Sequence, residues 1–166
     1  MRDFRVEWGM VTNVTLDRFD RAILAALQRD GAMTAAALSE VVHLSPSQCA
    51  RRRAALEAAG IISGYAARLD AQALGFGIRA IVRVNLRSHG QDREGAFARF
   101  LDSAPQVQSA FSVSGDADYV LDLRCRDLAD FAGFIHERLL PHPQVAQVRS
   151  EIVLRTLKDG AALDLS

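Results

Sequence analysis

The chain is predicted to be an α+β protein, with an N-terminal winged-type helix-turn-helix followed by a C-terminal ferredoxin-like βαββαβ domain. Three observations predict it. Apolar residues recur at helical spacing as far as Gly60. Beyond that glycine the pattern turns to alternation. Two helical segments then interrupt the alternating ones, one after the first strand and one after the third.

The first helix rests on Leu16, Phe19, Ile23, Leu24 and Leu27, with Asp17 as its cap and Gly31 as its stop. Thr34 caps a second, alanine-rich helix that turns Leu38 and Val41 inward. Only His43 and Leu44 separate its end from Ser45, and so short a connection fits a helix-turn-helix. The third helix is specified most strongly. Ser45 suits the N-cap, Pro46 the first helical position, and Gln48 closes a capping box. Leu44 and Cys49 stand where a hydrophobic staple packs, and Gly60 offers the stop. This helix carries Arg51, Arg52 and Arg53 in a row. Its exposed N-terminal side presents Ser47, Gln48 and Arg51, side chains that reach base edges or phosphates in a major groove.

Residues 61–69 read as a strand leaving the helical part, and Gly75 and Gly77 mark a hinge or turn after it. Ile78, Ala80, Val82, Val84 and Leu86 share one face of the next strand. A helix over residues 93–103 carries Phe97, Phe100 and Leu101 and ends at Pro105. Residues 107–114 and 119–126 form two strands joined by the turn GDAD. A helix with Leu128, Phe131, Phe134, Ile135 and Leu139 inward runs to the break at Pro141 and Pro143, and residues 145–157 supply the last strand. Both helices of this order cover one face of an antiparallel sheet. The other face is expected to hold Arg83, Asp122, Arg124 and Arg149 beside Ile81, Val120, Val148, Ile152 and Leu154, a mixture too apolar to stand open to water. A second subunit is the economical cover, so at least a homodimer is predicted.

The domain division that follows is residues 1–14 as an extension, 15–62 as the helix-turn-helix, 63–77 as linker, 78–158 as the ferredoxin-like domain and 159–166 as a tail. The extension, with Arg2, Arg5 and Trp8, reads as a loose tail. Composition sets outer limits. With 166 residues, 49% of them hydrophobic, the chain can bury one or two small cores. It lacks an apolar run of bilayer length and a secretory signal pattern, so no membrane partner is expected and a cytoplasmic location is. Formal charge balances, with 20 Lys and Arg against 20 Asp and Glu. No global field draws such a molecule to DNA, and attraction must come from a local patch, the arginine run. Cys49 and Cys125 sit in apolar periodic segments and read as buried thiols. No nucleophile-and-base set, phosphate loop or zinc spacing argues for catalysis, so no catalytic or metal residues are assigned.

Four strings in order, LDRFDRAIL, LSPSQC with LEAAGII, SGYAARLD and VSGDADYVL, together resemble the Lrp/AsnC (leucine-responsive/asparagine-responsive) family of regulators, over nearly the whole chain from Leu16 to Lys158. The resemblance implies a sequence-specific regulator of transcription that binds double-stranded DNA. Ser45, Ser47, Gln48, Arg51 and Arg52 become its candidate DNA contacts. It implies an amino-acid or related effector, with no other cofactor, near the turn formed by Gly115, Asp116, Ala117, Asp118 and Tyr119. There a glycine turn lets backbone approach a ligand, and Asp116 or Asp118 can pair with an α-ammonium group while Tyr119 walls the pocket. It also implies assembly beyond a dimer, to an octamer or similar. One departure stands out: Arg53 occupies a position that the family usually gives to a branched apolar residue. It must either snorkel along its stem or turn toward phosphate. Sirohaem decarboxylases resemble the same two-domain scaffold, so a tetrapyrrole enzyme is the alternative. His89, His136 and His142, however, show no paired ligand spacing and read as lone surface histidines.

Overall fold

The computed structural model describes residues 15–87, 91–160 and 162–165. The expected loose tail before Thr15, with Trp8, and the histidine at 89 lie outside them. Among the described residues the chain divides into two units: Leu69–Leu157 form one, and the residues before Leu69 join those after Leu157 to form the other.

In the helical unit, α1 (Arg18–Arg29) starts on Asp17, whose carboxylate takes the Phe19 and Asp20 amides at 2.8 and 2.9 Å. The Asp20 side chain answers the Asp17 amide, so both partners of a capping box are present. Its C-cap is Asp30, one residue before the expected glycine stop. Thr34 caps α2 (Ala35–Val42), and His43 ends it in the left-handed region at φ 59°. The inward residues of α2 are Leu38 and Val42, while Val41 is 51% exposed, because the α2 face toward the core follows an i, i+4 spacing. Ser45 and Gln48 form the predicted capping box at the head of α3 (Pro46–Ala58). Its end is a Schellman closure, with Gly60 N–H on the Glu57 carbonyl and Ile61 N–H on that of Leu56, and Gly60 at φ 70°. Ile23, Leu24, Ala26, Leu27, Leu38, Val42, Cys49 and Leu56 make the core of this unit.

The expectation of a linker strand fails here. Residues 61–69 join no strand ladder among the described residues: Ile61 and Ile62 donate to the Leu56 carbonyl and lean on the helical core, so neither a linker strand nor a wing hairpin forms there. A strand needs a ladder partner for its amides, and the described residues supply none at this place. The tail, for its part, is docked. Gln28 exchanges two hydrogen bonds with the Leu163 backbone at 3.1 and 2.6 Å, Arg21 donates to the Leu165 carbonyl, and Leu165 packs on the helical core.

The second unit is a four-stranded antiparallel sheet in the order β2-β3-β1-β4, from β1 (Ile78–Leu86), β2 (Val107–Ser112), β3 (Tyr119–Cys125) and β4 (Val145–Ile152). With α4 (Gln91–Asp102) after β1 and α5 (Leu128–Gly133) after β3, this is the predicted βαββαβ order. The helix that starts as α5 continues from Phe134 to Leu139 as a π-helix, in which the Leu140 amide reaches back five residues to Ile135 at 2.9 Å. Ala80, Val82, Val84 and Leu86 of β1 and Leu121, Leu123 and Cys125 of β3 meet Phe97, Leu101, Phe134, Ile135 and Leu139 in one core. Leu128 lies outside it, 59% exposed in the first helical turn after its cap Asp127.

Register corrects the open face. Val148 stands opposite Val84, and Ile152 opposite Ala80, so both lie on the helix-covered side. The residues opposite the core set are Arg79, Ile81, Arg83 and Asn85 on β1, Val120, Asp122 and Arg124 on β3, Phe111 on β2, and Arg149 and Glu151 on β4. Leu154 falls beyond the ladder, 97% exposed. On the open face Arg79 holds Asp122 through two hydrogen bonds of 2.7 and 3.1 Å.

Ending the chain after Gly160 removes the docked tail from α1. The melting temperature of the helical unit is expected to fall by about 4–8 °C, on the order of 1 kcal/mol for a domain of this size. Calorimetry that shows no change would mean that the docking adds nothing to stability.

Candidate functional site

Helix α3 buries Cys49 and Leu56 and turns Ser47, Arg51, Ala54 and Ala58 to solvent on the opposite face. Arg52 and Arg53 flank the buried stripe, one on each side, and the structure assigns the three consecutive arginines three different surroundings. Arg52 points back to the head of α1: its Nη1 lies 2.9 Å from Asp17 and 2.7 Å from Asp20, and its guanidinium stands 5.5 Å over the Phe19 ring. These contacts raise the Arg52 pKa, chiefly through the Asp20 hydrogen bond. They lower that of Asp17, which the Asp20 amide lowers most.

Arg53 resolves its unusual position by extending along the helix flank. Its Nε donates to Glu57 at 3.0 Å, its Nη1 to the Met33 carbonyl at 3.0 Å, and its guanidinium lies 4.6 Å over the Tyr65 ring. The buried-charge problem is thus met by a carboxylate, a carbonyl and a ring face. Arg51 is different. It is exposed, and no ion pair or hydrogen bond holds its guanidinium among the described residues.

Of the other sequence-predicted DNA contacts, Ser45 and Gln48 are bound to one another as the cap, with Ser45 Oγ also 3.1 Å from Ser47 Oγ. Ser47 and Arg51 therefore share an outer face whose neighbours are the small residues Ala50, Ala54 and Ala58.

The GDAD turn joins β2 to β3. Gly115 has φ 135°, a backbone setting that L side chains rarely adopt, and Ala117 is buried. The Asp118 carboxylate accepts the Leu86 amide at 2.7 Å, and its own amide donates to the Val84 carbonyl. Asp118 thus ties the turn to the end of β1. Asp116 is exposed, with its carbonyl taken by Asn85 at 2.9 Å. Tyr119 points to the helix side, 5.1 Å from Phe97.

Sequence reasoning missed the surroundings of that ring. Phe97 also lies 5.4 Å from His142, and Phe100 lies 4.7 Å from it, so His142 is a half-buried member of an aromatic cluster and not a surface histidine. Burial lowers its pKa, and its Nδ1 accepts the Gln144 amide at 3.4 Å, which suits a neutral ring. The Gln144 carbonyl takes the Arg87 amide, next along from the Leu86 amide that Asp118 takes. Its side-chain Oε1 is buried and has no hydrogen-bond partner. Proline spacing around His142 gave no signal of this packing. Among the described residues no group of His, Cys, Asp and Glu is set to hold a metal ion.

A helix-turn-helix with a solvent-facing arginine, followed by a βαββαβ ligand-domain scaffold, defines a two-domain DNA-binding regulator. Comparison with known proteins agrees. The AsnC-type helix-turn-helix domain matches residues 16–57 and the Lrp/AsnC ligand binding domain matches residues 79–163. The leucine-responsive regulatory protein of Rhizobium meliloti is 38% identical over 94% of this chain and 100% of its own length. The Bkd operon transcriptional regulator of Pseudomonas aeruginosa is 37% identical over 86% of this chain and 93% of its own. A crystal structure of a Neisseria meningitidis transcriptional regulator in complex with L-Met superposes with a TM-score of 0.87 at 39% identity, covering 91% of this chain and 97% of that one. The chain belongs to the Lrp/AsnC family of transcriptional regulators.

His142 makes stability pH-dependent with a definite sign. Its folded pKa lies below the ordinary 6.5, so its contribution is complete above that pH and is lost as pH falls through the folded value. Thermal melts from pH 7.5 down to 5, taken as a rough range around that value, should show a decline that His142→Phe flattens. An identical slope in the variant would assign the decline to other groups.

Proposed function

We propose that this regulator binds double-stranded DNA as a cytoplasmic homodimer or larger assembly, acts without catalysis, and is modulated by an amino acid. The observation that carries the DNA contact is the uncommitted guanidinium of Arg51 on the outer face of α3. Arg51 and Ser47 are the contacting side chains; Ser45, Gln48 and Arg52 act through the helix, by capping it and by holding it to α1. Small neighbours at Ala50 and Ala54 let the helix lie close to base edges, and alanine methyls suit the thymine methyl group.

The dimer is supported by the open sheet face. There Ile81, Val120 and the 57%-exposed Phe111 lie among Arg83, Arg149 and Glu151, with Arg83 and Glu151 already 3.5 Å apart. Such a face interleaves apolar side chains with charges of both signs, a mixture that a second copy can meet under two-fold symmetry. Continuation to an octamer or similar form would add avidity between reading units.

The amino-acid effector is supported by the relatives, one named leucine-responsive and one solved with L-Met. Around the GDAD turn, Gly115 gives open backbone, Asp116 offers an exposed carboxylate for an ammonium group, and Gln144 offers an unused buried acceptor. Asp118 shapes the turn and Tyr119 walls it. A coupling of about 1–3 kcal/mol between effector and DNA would change occupancy several-fold or more.

Fluorescence anisotropy on DNA from upstream of the coding region, with thermal shift against L-leucine and L-methionine, tests both halves. An effector at a hundred times its Kd should stabilise by about 2.7 kcal/mol. Asp116→Ala should lose that shift while ligand-free DNA affinity stays within about twofold, well inside one coupling step. A full shift in Asp116→Ala removes that carboxylate from the site, and no DNA binding by the wild type contradicts the reading.

A further inference from the structure

The arginine that departs from the family pattern sits in a cluster that DNA contact does not use. Arg53, Glu57, Tyr65 and Gly31 meet on the flank of α3. Glu57 accepts from both Arg53 Nε at 3.0 Å and the Tyr65 hydroxyl at 2.8 Å, and the Tyr65 ring lies under the Arg53 guanidinium. A Cβ on Gly31 would stand 3.1 Å from Tyr65 Cδ1, so the turn after α1 is shaped to receive that ring. Tyr65 Oη and Arg53 together lower the Glu57 pKa, which keeps the carboxylate charged between them. Arg53 Nη1 completes the set on the Met33 carbonyl in the α1–α2 connection.

Tyr65 is the last side chain that fastens the outgoing chain to the helical unit. Ala66, Ala67 and Arg68 follow, and Leu69 begins the other unit. Three extended residues span about 10 Å at most, whereas release of Tyr65 frees the run from Ser63, and the limit then passes to the return connection ahead of the docked Leu163, whose five residues span about 17 Å at most. Gly64, at φ 153°, offers no packing of its own to resist release.

We infer that Arg53, Glu57 and Tyr65 form a clamp that fixes where the chain leaves the DNA-reading unit, and that the clamp sets the half-site spacing which a dimer of this protein accepts. The inference rests on the DNA contact and dimer proposed above. Arg53 and Tyr65 are positioning residues in it, acting through the tether and never on a base. A reading unit on a short fixed tether engages a second half-site only at one phase of the double helix. On a longer tether it tolerates others.

The experiment uses the full-length protein and the DNA half-site that wild type selects from a random pool. Duplexes carrying two copies of the half-site, with spacers lengthened one base pair at a time through a helical turn of about 10 base pairs, are titrated alongside a duplex with one copy. Wild type should peak at one spacing and lose about tenfold at half a turn away, the loss of an effective-concentration advantage. Tyr65→Ala should flatten that profile to within about twofold while leaving single-copy affinity unchanged, and Tyr65→Phe, which keeps the stacked ring, should restore most of the peak. If Tyr65→Ala does not melt cooperatively, Glu57→Gln takes its place. An unchanged profile in these variants, or a flat profile in wild type, overturns the clamp while leaving DNA reading intact. If wild type selects no DNA from the pool, the DNA contact itself fails and the clamp falls with it.

Discussion

The reading unit depends on how α3 is held. A helix of 13 residues that buries only Cys49 and Leu56 fully has little apolar surface with which to fix its rotation. Its orientation is set from the flanks by two guanidinium groups, Arg52 on the carboxylates that cap α1 and Arg53 on Glu57, Met33 and Tyr65. Planar forks with several donors suit this task better than an ammonium would, since each satisfies more than one acceptor in a fixed direction. The capping box at Ser45 sets the start of the helix and the Schellman closure at Gly60 sets its end, so position, rotation and length are each tied to named atoms. What these ties leave uncommitted is the outer face, which carries the exposed Arg51.

Much of this was legible in the sequence. Capping signals are local, and Asp17, Thr34, Ser45 and Gly60 act within a few residues of themselves, so their roles survive folding unchanged. The alternation of β1 placed Ala80, Val82, Val84 and Leu86 on one buried face for the same reason. Relations across the chain were harder to read. The sides of Val148 and Ile152 follow from pairing with β1, which shifts at Asn85 and Leu86, and no local pattern reports such a bulge. The π-helical continuation over Phe134–Leu139 keeps an apolar spacing that ordinary helical periodicity imitates. The residues from Tyr65 onward look like a strand because they alternate, yet their amides meet no ladder among the described residues.

The candidate sites divide along the same line. Residue types marked a helix and a turn, but not which side chains are committed to holding the structure. Arg52 reads the same as Arg51 in a row of three until the Asp17 and Asp20 carboxylates are seen 2.9 and 2.7 Å away. Asp118 reads the same as Asp116 until the Leu86 amide is found on it. In both pairs one member is bonded within the fold and the other is exposed. The aromatic cluster of Phe97, Phe100, Tyr119 and His142, with the orphan Gln144 acceptor beside it, gathers residues from three separate stretches and has no linear signature.

The division of labour among the three arginines is the central claim, and the salt dependence of DNA affinity tests it most directly. Each phosphate contact adds about one counterion to the slope of log affinity against log salt. Measured side by side, Arg51→Ala should lower that slope by about 1, whereas Arg52→Ala and Arg53→Ala should leave it unchanged even where they weaken binding. Equal loss of slope in all three, or none in Arg51→Ala, would contradict the account.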